Sequence, residues 1–175
     1  TGDNWQRLLD IVGPWDQASL PMVLAAQLWA GNAVASGKGA AVAVIGTRWK
    51  LPNRDIERAA WLVENLDVVA TAHTASWPQV QRVLINGGAC ELVQLGSAIH
   101  GANHPGVAFC RTQLALPPEQ LNPSPLVSGH DLLTRGFAAG PAIGRLLEAI
   151  RDAQLEGKVR TRDEALALAD ELKAG

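Results

Sequence analysis

Residues 126–150 read LVSGHDLLTRGFAAGPAIGRLLEAI, two apolar runs at helical spacing on either side of a glycine-rich turn, with four glycines and a proline between them. Ser128 and Asp131 have capping-box spacing, and Val127 and Leu132 are placed as a hydrophobic staple, so a short helix is expected to begin at Gly129. Gly136 should end it in a left-handed conformation, which costs a residue with a Cβ about 1 kcal/mol or more. Gly140 then caps a second helix with Pro141 at its first position, where a missing N–H loses nothing. Ile143, Leu146, Leu147 and Ile150 supply its apolar stripe, and Gly157 closes it. Thr161 and Glu164 form a second capping box for a last helix carrying Leu166, Leu168, Ala169 and Leu172.

The same punctuation runs upstream. PPEQLNPSP, residues 117–125, has four prolines in nine and reads as a stiff extended connector that cannot form a helix. Trp5, Leu8, Leu9 and Val12 predict a first helix stopped at Gly13 and Pro14, and Ser19 caps a second that runs to the mobile loop expected over 31–40. AAVAVIGTRW, residues 40–49, suits a strand by its β-branched residues and a helix by its alanines, and periodicity does not decide. Asn53 is the expected N-cap of a helix bearing Ile56, Ala60, Val63 and Leu66. Ser76 and Gln79 open another, and two more cover 90–99 and 107–114. The expected fold is all-α: a helical body over 1–116, a proline-rich connector over 117–125, and a small three-helix tail over 126–175.

Hydrophobic residues make up 47% of the 175 and charged residues 18%, a globular composition. No apolar run approaches the roughly 20 residues of a membrane span, so no membrane partner is expected. A net charge of -2 argues against a strongly basic nucleic-acid binder, and residues 126–175 carry seven basic and eight acidic side chains. Cys90 and Cys110 lack zinc or redox spacing and read as buried thiols of a reducing, cytoplasmic setting. The six tryptophans read as core, although Trp49 in TRWK has the basic neighbours of a stacking platform. His73, His100, His104 and His130 show no paired metal-ligand spacing, and no Asp-x-Asp, GxGxxG or P-loop occurs. No catalytic residue, metal site or cofactor is therefore expected within these residues. The chain starts at Thr1 without a signal peptide, which reads as a segment of a longer protein.

Chemistry concentrates at the Gly140–Ile143 turn. Its backbone N–H groups lie at a helix N-terminus uncovered by side chains, an arrangement suited to an anion, with Arg135 and Arg145 flanking it in sequence. The alternative is that the glycines only permit sharp turns and close helix packing.

Residues 122–172 resemble the carboxy-terminal RNA-binding region of bacterial tRNA nucleotidyltransferases and poly(A) polymerases, through Gly-x-Asp-Leu at 129–132, Gly-Pro-x-x-Gly at 140–144 and LEGKVRTRDEAL at 155–166. WQRLLDIV, SLPMVLAAQLWA and LPNRDIERAAWLVENL are similar to the helical middle of those proteins, where some members hold a metal on His and His-Asp ligands. The corresponding positions here are Arg7, Trp29 and Ala30, which implies a degenerate HD-like body with Trp29 filling the former site. The resemblance implies an RNA partner, tRNA or an RNA 3′ end, with phosphates held by Gly140, Ala142, Ile143, Arg135, Arg145, Lys158, Arg160 and Arg162. It also implies that nucleotide addition belongs to an amino-terminal catalytic head of the same polypeptide, using Mg²⁺ and ATP or CTP. The alternatives are a structural or protein-interaction module with a dead metal site, and a degenerate metal-dependent phosphohydrolase.

Overall fold

The computed structural model describes residues 2–31 and 38–174, among which are eleven helices and no strand. It divides into two compact units, one formed by the chain up to Ser76 together with Arg82–Leu116, the other by Trp77–Gln81 and the chain from Pro117 onward. No helix among the described residues is long and apolar enough to cross a membrane.

The first unit contains α1 (Gly2–Val12), α2 (Leu20–Ala30), α3 (Lys38–Arg48), α4 (Asn53–Thr71), the end of α5 (Trp77–Leu84), α6 (Ala89–His100) and α7 (Pro105–Leu114). Its centre is α4, against which α2, α3, α6 and α7 pack. Ala59, Leu62, Val63, Leu66 and Val69 give α4 a buried stripe at helical spacing. Ser19 caps α2 as expected, accepting from the Met22 N–H at 3.4 Å, and its hydroxyl donates to Glu91 of α6 at 2.6 Å.

Several expectations are corrected here. The ambiguous stretch at 40–49 is helical: Val42 and Gly46, one turn apart, are buried, whereas strand alternation would bury Val44, which is 69% exposed. The expected loop over 31–40 falls largely on 32–37, outside the described residues, and from Lys38 the chain is already helical. Asn53 is the first helical residue and Pro52 the cap, with no side-chain cap bond. In α1 the buried residues are Leu8 and Ile11, while Trp5 and Leu9 are exposed, because the face turned to α2 and α6 lies one position away from the predicted stripe. The tryptophans are not core: Trp5 and Trp49 are exposed and the other four half-buried. Cys110 is buried, and burial pushes its thiol up to about 11, but Cys90 is exposed because α6 buries Ala89, Leu92 and Val93 instead.

The second unit holds α8 (Pro118–Leu121), α9 (Gly129–Thr134), α10 (Pro141–Leu155) and α11 (Arg162–Ala174). The helix α8 corrects the reading of 117–125 as wholly extended. A single turn needs no donor from its first residues, so Pro118 fits at N1 while the Leu121 and Asn122 N–H groups donate to the carbonyls of Pro117 and Pro118 at 3.0 and 2.8 Å. The rest of this stretch is fastened down. Asn122 Oδ1 accepts from Gln81 Nε2 at 3.2 Å and from Arg151 Nη2 at 2.8 Å, and the Ser124 carbonyl accepts from Gln154 Nε2 at 2.8 Å. The unit's core contains Val127, Leu132, Phe137, Ile150, Val159 and Leu166, with Ile143, Leu146 and Leu147 packed against it. Leu172, predicted for the buried stripe of α11, is 49% exposed; Ala165 and Ala169 are buried in full.

Candidate nucleic-acid interface

The glycine-rich turn is built by local hydrogen bonding. Ser128 Oγ accepts from the Asp131 N–H at 3.3 Å, and the Asp131 carboxylate accepts in return from the Ser128 N–H at 2.8 Å, which completes the capping box of α9. At its other end Gly136 has φ +85°, and the N–H groups of Gly136 and Phe137 donate to the carbonyls of Leu133 and Leu132, each at 3.0 Å. This is a Schellman closure, and Leu132 and Phe137 share the core as that motif favours. Residues 138 and 139 then lead to Gly140, the cap of α10, at φ 151° and ψ -177°, a conformation open in practice to glycine alone.

The first turn of α10 presents bare backbone. Gly140, Pro141, Ala142, Gly144 and Arg145 are exposed, and a Cβ at Gly140 or Gly144 would meet nothing within 4 Å. The glycines therefore do not serve close helix packing. Among the described residues the N–H groups of Gly140 and Ala142 donate to no group of the chain, whereas the Ile143 N–H donates to the Gly140 carbonyl at 3.1 Å. The expectation that Ile143 offers a free amide is corrected: a tight first turn closes that bond internally.

The predicted cations differ in their freedom. The Arg145 side chain has no hydrogen bond or ion pair among the described residues, and the Arg160 guanidinium makes one bond, from Nε to the Gly157 carbonyl at 3.3 Å, while its backbone N–H donates to Glu164 at 2.7 Å. Arg135 does not reach toward the turn as its sequence position suggested: its Nε and Nη2 grip the Asp170 carboxylate of α11 at 3.0 and 2.7 Å. Hydrogen bonding to Asp170 raises the guanidinium's pKa, and the same bond lowers that of Asp170. Arg162 donates to Asp131 at 2.5 Å, and Lys158 pairs with Glu156 at 2.5 Å. The hydrogen bonds from Ser128, followed by that from Arg162, hold the Asp131 carboxyl far below the usual carboxylate range. Arg135 and Arg162 share a shallow concavity of about 500 Å³ with His130, Thr134 and Leu166. Both guanidiniums are open to solvent, where an ion pair contributes little to stability. Lys173 escaped sequence reasoning: it donates to the Gly136 carbonyl at 3.3 Å and lies 4.7 Å from the Phe137 ring centroid, although in sequence it reads only as a basic residue in a last helical turn.

Of the three positions that the resemblance aligns with metal ligands, Arg7 is exposed, Trp29 half-buried and Ala30 buried. The structure does bring histidines together, contrary to their sequence spacing, because α6 and α7 are joined by a short turn. The rings of His100 and His104 are 5.3 Å apart and those of His73 and His104 6.3 Å, while His104 Nδ1 accepts from the Gly106 N–H at 3.3 Å. Burial and then His104 lower the pKa of His100, against the pull of Asp67. Among the described residues no group of three or more His, Cys, Asp and Glu is arranged to hold a metal ion.

An all-helical chain with this capped glycine turn is related to the tRNA nucleotidyltransferases. It is 44% identical over 52 residues to a CC-adding tRNA nucleotidyltransferase of Synechocystis sp., covering 29% of this chain and 12% of that protein. It is 31% identical over 120 residues to a CCA-adding enzyme of Lactobacillus gasseri, covering 67% and 29%. To an A-adding tRNA nucleotidyltransferase of Deinococcus radiodurans it is 30% identical over 132 residues, covering 69% and 30%. The chain thus spans less than a third of the length of the curated relatives it matches. No protein-family model matches it, and no solved structure matches it.

Proposed function

We propose that this chain is the RNA-binding body and tail of a tRNA nucleotidyltransferase or poly(A) polymerase, holding the RNA so that its 3′ end reaches a catalytic head elsewhere in the polypeptide. The observation that carries the reading is the start of α10, where the Gly140 and Ala142 amides are open and Arg145, on the next turn and three residues after Ala142, has an unpaired side chain among the described residues. Partial positive charge at a helix N-terminus, free N–H donors and a guanidinium suit a phosphate and read no base, so recognition is by backbone and shape. The relatives' nucleotidyltransferase names support the same reading. Mg²⁺ and ATP or CTP are assigned to that head. In the body we assign the Arg7, Trp29 and Ala30 positions to a degenerate HD-like site, and we place the protein in the cytoplasm. Titration of labelled tRNA by fluorescence anisotropy tests the proposal. Arg145→Glu is expected to weaken binding about tenfold or more with an unchanged circular dichroism spectrum, charge reversal at a phosphate contact being worth 1.4 kcal/mol or more. Undiminished binding by that variant rejects the phosphate contact.

A further inference from the structure

The face between α10 and α11 has a chemistry unsuited to RNA. Ala149, Asp152 and Ala153 of α10 with Glu156 at its C-cap, and Glu164, Ala167, Leu168 and Glu171 of α11, follow the same i, i+3, i+4, i+7 spacing and line one groove of about 640 Å³. Its floor is apolar and low, made by alanines from both helices with Val159, so a third helix can approach closely enough to seat large side chains. At the mouth Leu172 stands 49% exposed, apolar surface that α10 and α11 leave uncovered. Along the rim stand the carboxylates of Asp152, Glu156, Glu164 and Glu171 and the ammonium of Lys158; Glu156 pairs with Lys158, and Glu164 accepts from the Arg160 and Thr161 N–H groups at the start of α11. Glu171 has no ion-pair partner among the described residues.

On α11 this groove lies opposite the concavity shared by Arg135 and Arg162. Leu166 lines that concavity and Leu168 the groove, and two residues at 100° per residue put them about 200° apart. One helix thus separates an arginine-bearing surface from an acidic, apolar one. Carboxylates along a rim repel phosphate and attract Lys and Arg, while a floor of small side chains accepts Leu or Ile anchors.

We infer that the α10–α11 groove docks a protein partner through a basic amphipathic helix whose apolar anchors fill the space over Ala153 and Ala167. The surface is separate from the RNA reading and stands or falls without it.

The test uses the 175-residue chain and a fluorescent synthetic helix of roughly 18 residues, long enough to be helical when bound, with leucines at i, i+3, i+4 spacing and lysines on both flanks. A control peptide has glutamate in place of lysine. The lysine peptide is expected to bind, to shift backbone amide resonances of α10 and α11 around the groove, and to weaken with salt. Glu171→Lys should lower its affinity roughly tenfold. Ala167→Trp, which fills the groove without changing charge, should abolish the amide shifts. Should the tryptophan variant lose helix content, Glu171→Lys alone decides. Equal binding of the two peptides, amide shifts elsewhere, or indifference to both substitutions overturns the inference. So does concentration-dependent self-association by sedimentation that Ala167→Trp removes, since the occupant is then a second copy of the chain.

Discussion

Gly140 and Gly144 stand four residues apart in one motif and do different physical work. At φ 151° and ψ -177° Gly140 occupies backbone space that a Cβ makes costly, so Gly140→Ala should destabilise the C-terminal unit by about 1–3 kcal/mol and disturb the free amides beside it. Gly144 sits within α10 with open space around it, so Gly144→Ala should stabilise by about 0.5–1 kcal/mol through the unfolded chain and helix propensity. Urea denaturation of the two variants checks the pair; equal effects of the same sign would show that the turn conformation is not the reason for the first glycine. The Gly-Pro order at 140 and 141 made this turn legible in sequence, because cap preferences depend on neighbours a few residues away. The fate of Arg135 was not legible, since its partner Asp170 lies 35 residues off.

In the C-terminal unit two helices begin where their capping boxes dictate. Ser128 with Asp131, and Thr161 with Glu164, close their first turns as their spacing predicts, and the Glu164 carboxylate also accepts from the Arg160 N–H at 2.7 Å. Asp131 serves two elements, capping α9 and pairing with Arg162 of α11, and that double duty gives a pH dependence. Its folded pKa lies below the ordinary 3.8, so the unfolded chain takes up the proton first. The associated stability is complete above the ordinary value and is lost as the pH falls toward the folded one. Thermal melts of the C-terminal unit should therefore fall below about pH 4, and Asp131→Asn should lower the melting temperature at pH 7 and flatten that fall. An unaltered acid profile in the variant would remove Asp131 from the account. Where caps were weak or neighbours distant, the sequence decided less: α3, which periodicity leaves open between helix and strand, is helical and packed on α4, and α8 fits one turn into a proline-rich stretch that reads as extended.

At the scale of the molecule, charge bears on the proposed RNA binding. A net charge of -2, with Arg135 and Arg162 already ion-paired, leaves few cations to release counterions. If Arg145, Arg160 and an exchanging Arg162 meet two or three phosphates, the logarithm of tRNA affinity should fall with the logarithm of salt at a slope of about 2 to 3. A slope near zero measured between 50 and 200 mM salt, roughly the range over which such contacts show, would argue against phosphate binding altogether.

The sequence by itself determined the all-helical class, the caps at Ser19, Ser128 and Thr161, and the glycine turn at Gly136–Gly140, because these rest on hydrogen bonds closed within about five residues and on backbone angles that single residues permit. Only the tertiary structure decided which face of α1 is buried, that Trp5 and Trp49 stay in water, that His73, His100 and His104 meet, and that Arg145 is left without a partner while Arg135 is not. Those outcomes depend on groups brought together from distant parts of the chain, where burial and charge pairing outweigh local preference.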